Sequence, residues 1–84
     1  MNYILSDHTQ EEMVKRNVTA EEIDAVMQHP QQILPAKKGR KTYQSLLVRG
    51  NKIMMLRLIV DDRTDPAVVV TIYPTTKAKY WRQS

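Results

Sequence analysis

Apolar positions along this chain change their spacing once, at Pro30. Before it they recur at helical intervals, and after it they alternate with a period of two. Asp7 with Gln10, and Thr19 with Glu22, stand three residues apart in capping-box spacing. They predict a short helix over 8–16, whose apolar content is only Met13 and Val14, and a second from 20 to about 29. The second places Ala20, Ile23, Val26 and Met27 on one face. Pro30 ends it, because proline disfavours helical geometry in the residue before it. Short strands are predicted over 2–5 and 32–34. A basic turn over 36–40, around Gly39, leads to longer strands over 41–49, 52–60 and 67–73. Gly50-Asn51 is a two-residue hairpin signal, and 61–66 is a polar turn. The order β-α-α-β-β-β-β predicts an α+β fold in which two N-terminal helices pack on one face of a mostly antiparallel sheet of about four strands.

Alternation sorts the strand side chains. Met54, Leu56, Leu58 and Val60 read as core, as do Val68, Val70 and Ile72. Arg57, Thr71, Tyr73 and Tyr43 then share the opposite face if the registers align. A slip or bulge of one residue reverses that assignment for a strand.

Size limits what this pattern can hold together. Residues 1–84 make a single domain, and a chain this short buries only about 60–65% of its unfolded surface. No cysteine is present, so disulfides and thiolate metal sites are excluded. No signal peptide is visible, and the longest apolar stretches, 53–56 and 67–70, fall far short of the roughly 20 residues of a membrane span. The expectation is a cytoplasmic protein away from membranes.

Charge divides the chain. Residues 1–34 hold six acids and two bases, a net of −4, while residues 35–84 hold eleven bases and three acids, a net of +8. A basic sheet half beside an acidic helical half points to a polyanion on one side. Lys37, Lys38, Arg40 and Lys41 form the densest basic cluster, and Lys77, Lys79, Tyr80, Trp81 and Arg82 add cations and stacking surfaces. Together they describe a rim for a nucleic acid; separately, they read as a solvated loop and a tail folded over a thin core. Arg57 interrupts an apolar strand, either as a bidentate phosphate clamp or as a surface arginine. Tyr43, Thr71 and Tyr73 can contact phosphates or bases, though each also suits a strand. His8, at a helix start that disfavours its protonated form, reads as a general base or as an exposed cap residue. Two distant histidines and no paired carboxylates imply no metal site and no cofactor.

Leu5-Ser6-x-His8, then Met13, Arg16, Val18-Thr19, Ile23, Val26, Pro30, Gly39-Arg40, Tyr43 and Thr71-x-Tyr73 before Lys77 and Tyr80-Trp81, form an ordered pattern over almost the whole chain. It resembles domain-of-unknown-function family 4258, a set of small prokaryotic proteins related to toxins of the RelE/ParE and BrnT type. That resemblance implies a RelE/BrnT-like fold and a toxin–antitoxin setting, with a small neighbour-encoded antitoxin as partner. It also implies a metal-independent endoribonuclease in which His8 and Thr71-x-Tyr73 act on RNA, with Arg57 as the cation. A non-catalytic module binding RNA or a partner protein through the same face is the alternative. Glu12 stands where the family often has arginine, and reads as a local partner for Lys15 or Arg16.

Overall fold

The computed structural model describes residues 2–76. Its elements are β1 (Tyr3–Leu5), α1 (Asp7–Arg16), α2 (Ala20–Gln28), β2 (Gln32–Pro35), β3 (Lys41–Arg49), β4 (Lys52–Asp61) and β5 (Ala67–Thr75). The sheet runs β1-β5-β4-β3-β2. β2 to β5 form an antiparallel meander, and β1 joins β5 in parallel. The sheet is therefore mixed and has five strands, not about four, because Tyr3–Leu5 pairs fully along Ala67–Val69.

Local chemistry starts and stops the helices. Ser6, not Asp7, caps α1: its hydroxyl accepts from the Thr9 backbone N–H at 3.0 Å. Asp7 instead becomes the first helical residue, where a carboxylate meets the positive end of the helix dipole. Asn17 closes α1 in the left-handed conformation, at φ 55° and ψ 48°. Thr19 and Glu22 form the expected capping box on α2. Glu22 also accepts two bonds from the Arg49 guanidinium, at 2.9 and 2.7 Å, and so ties the start of α2 to the end of β3.

Ile23 and Val26 of α2 are fully buried against Leu56, Leu58 and Val60 of β4 and Ile72 of β5, with Met27 packed at the margin. On β5 the core position is Val69, not Val68 or Val70. The reason is a bulge. Ile59 pairs with Thr71 but Val60 pairs with Val69, which leaves Val70 as an extra residue. Parity thus changes within the strand, and both Val69 and Ile72 face inward.

The bulge is held from α1. Val69 carbonyl accepts from the Ser6 N–H at 3.0 Å and from the Thr9 hydroxyl at 2.9 Å, and Val70 carbonyl accepts from the Ser6 hydroxyl at 2.8 Å. These carbonyls lie at the last β1–β5 rung, Leu5 with Val69, and just beyond it. Thr9 is fully buried in this role. The opening Leu5-Ser6 motif therefore anchors the strand that carries Thr71 and Tyr73.

Candidate nucleic-acid interface

Counting from the two-residue turn at Gly50-Asn51, β3 and β4 pair Arg49 with Lys52 and, five rungs back, Gln44 with Arg57. β5 then places Tyr73 beside Arg57, and β2 places Gln32 beside Gln44. A polar row of Gln32, Gln44, Arg57 and Tyr73 thus crosses the sheet on the face away from the helices. Tyr43 is not in it. It pairs with Leu58 on the helix face and packs against the core, which removes it from the expected interface. The register is offset by one residue from the one that would align Tyr43 with Arg57, and Gln44 takes its place.

Beside this row lies an open cleft of about 410 Å³. The β2–β3 loop supplies Lys37, Lys38 and Arg40 to its wall, and the sheet supplies Thr42, Arg57, Ile59, Thr71 and Tyr73. The loop is a single 3₁₀ turn closed by the Ala36 N–H on the Arg40 carbonyl at 2.9 Å. Lys38 and Gly39 both take left-handed φ, 61° and 73°. A Cβ at Gly39 would sit 3.0 Å from Arg63 Nη1, the mobile end of a long side chain, so the left-handed φ is the main reason for glycine there. Two other depressions, beside the helices, are lined by no cation.

Residues 5–74 match the family described as a domain of unknown function (DUF4258). The chain belongs to that family. The match takes in every described residue that lines the cleft. No curated protein and no solved structure matches the chain.

Within this DUF4258 domain, several opposite charges pair with one another. Arg16 and Lys15 flank Glu12 at 2.8 and 3.8 Å, Lys41 meets Asp62 at 2.8 Å, and Arg63 holds Asp61 through both carboxylate oxygens. The Arg63 side-chain and backbone hydrogen bonds bring Asp61 down to a pKa of about 2, with Arg40 close enough to contribute. Hydrogen bonding from Arg16 lowers Glu12. Lys37, Lys38 and Arg40, by contrast, form no ion pair among the described residues. Arg40 Nε is buried without a hydrogen-bond partner among those residues. A buried guanidinium donor left unmatched is costly unless an anion answers it.

The structure brings together Arg57, Thr71, Tyr73, Lys37, Lys38 and Arg40. His8 is exposed on the first turn of α1 and does not line the cleft. Arg16, eight residues along the helix, stands over Tyr73, with its guanidinium carbon 6.0 Å from the ring centroid. Eight residues span about 12 Å of helix, so His8 stands well back from that contact. Lys77, Lys79, Tyr80 and Arg82 lie outside the described residues. Sequence reasoning missed Gln44 and Gln32 as members of the face, and Arg16 as a neighbour of Tyr73. The hairpin arithmetic held the signal for the first of these.

Proposed function

We propose that this domain is a small RelE/BrnT-like toxin of a type II toxin–antitoxin system, acting on RNA at the outer-face cleft as a metal-independent endoribonuclease. The observation that carries the RNA reading is Arg40, whose Nε–H is buried and without a partner among the described residues, beside Lys37, Lys38 and Arg57. Four cations around one cleft suit consecutive backbone phosphates. Arg57 would balance charge gathering on the scissile phosphate, and Thr71 and Tyr73 would hold it or protonate the leaving oxygen. For His8 to take the proton from the 2′-hydroxyl, the RNA would have to run from this cleft to the first turn of α1.

Two observations favour a second reading, a non-catalytic module that binds RNA or a partner protein through this face. His8 lies outside the cleft lining. Leu46, Val48 and Ile53, on the same face toward the hairpin tip, are 43%, 75% and 65% exposed, and adjacent apolar side chains left open in this way suit a protein partner. Expression separates the two. The toxin should arrest growth and fragment RNA with EDTA present. His8→Ala should lower cleavage on the order of a hundredfold, within the range for a general base, and Arg57→Ala and Tyr73→Phe should relieve arrest. Normal growth with intact RNA, beside retained salt-sensitive RNA binding, would select the module. Absence of RNA binding would overturn both RNA readings.

A further inference from the structure

We infer that Gln44 is a positioning residue for Arg57, with Gln32 fixing Gln44 in turn. The inference rests on the reading of the cleft as a phosphate-binding surface. Gln44 is fully buried, although it lies on the sheet face away from the helices. A buried amide is costly unless both of its ends are hydrogen-bonded. Here they are: Oε1 accepts from Arg57 Nε at 3.1 Å, and Nε2 donates to Gln32 Oε1 at 2.7 Å. Only one orientation of the Gln44 amide serves Arg57, because the reverse sets an NH₂ group against a guanidinium N–H. Gln32 presents its oxygen to the donor end and holds that orientation.

The consequence falls on Arg57. A guanidinium is a planar fork of five N–H donors, so fixing Nε fixes the plane of the whole group. Tyr73 stands beside Arg57 in the next strand, and Arg16 stands over the Tyr73 ring. Arg57 is thus bracketed along one row, with its direction set before a phosphate arrives. Such preorganisation removes an ordering cost that a free surface arginine would bear on binding. A valine or leucine at position 44 would fill the same strand position and leave Arg57 without this constraint.

The test is a double-mutant cycle with a single-stranded uridine oligonucleotide as probe, read as affinity against salt. Arg57→Ala and Gln44→Leu should each weaken binding about tenfold and flatten the salt slope by about 0.7, the share of one phosphate contact. The double variant should bind like Arg57→Ala alone, since Gln44 acts only through Arg57. Gln32→Leu, at a half-buried position, should lose about threefold, again only when Arg57 is present. It carries the test if Gln44→Leu does not fold. Additive losses in the cycle, or wild-type affinity in a folded Gln44→Leu or Gln32→Leu protein, would overturn the inference and leave the phosphate reading standing. Wild-type affinity and slope in Arg57→Ala would overturn that reading, and the inference with it.

Discussion

Tyr3 shows how a single residue couples the sheet to the helices. Its ring is buried under α2, and its hydroxyl donates to Asp24 Oδ1 at 2.7 Å. Burial first, and then the neighbouring carboxylate, push its pKa from 10.0 up to about 12. Folding therefore favours the protonated phenol. The stability this contributes is complete below the unfolded value of 10.0 and is lost as pH rises through about 12. An ultraviolet titration should show one tyrosine ionising late, and Tyr3→Phe should remove that phase and cost about 1 kcal/mol. Ionisation of every tyrosine near the ordinary value would refute the buried bond. Glu12 illustrates a residue that was legible in advance: three and four residues before Lys15 and Arg16 on α1, it pairs locally with both as its spacing implied.

At the scale of elements, the change of period at Pro30 foretold both helices and the long strands, because each has a continuous pattern of its own. Leu56, Leu58 and Val60 were identifiable as core for the same reason. Leu58→Ala should cost about 2–5 kcal/mol, measured by chemical denaturation; an unaltered midpoint would contradict its burial. What alternation could not show is the bulge in β5. Ala67–Val70 is apolar throughout, so nothing in that stretch marks which valine points inward. The clamp that sets it comes from Ser6 and Thr9, 60 and more residues away in sequence. Thr9→Val keeps the shape and removes the hydroxyl donor to the Val69 carbonyl, so it should cost about 1 kcal/mol and raise amide exchange around Val69 to Thr71. Unchanged exchange there would show that the Ser6 bonds suffice. Tyr43 was placed on the wrong face because faces were matched across strands without counting from the Gly50-Asn51 turn. That count gives the pairing of Gln44 with Arg57 directly.

Across the whole molecule, the division of charge seen in the sequence becomes a division between faces. Two of the helix acids pair with bases, Glu12 with Arg16 and Glu22 with Arg49. Lys37, Lys38 and Arg40 remain gathered at one cleft on the opposite side of the sheet. No helix among the described residues is long and apolar enough to cross a membrane. The basic cluster was visible as a run of residues; its convergence with Arg57 and Tyr73 was not, since that depends on the loop folding over the outer face. The central claim, that this cleft receives consecutive phosphates, is tested most directly by the salt dependence of RNA binding. Wild type and a Lys37→Ala, Lys38→Ala, Arg40→Ala triple variant are titrated with a single-stranded RNA across a range of ionic strength. The account predicts weaker binding by the triple variant and a slope flattened by about 2, the loss of three phosphate contacts at about 0.7 each. Equal affinity and equal slope for the two proteins would contradict it.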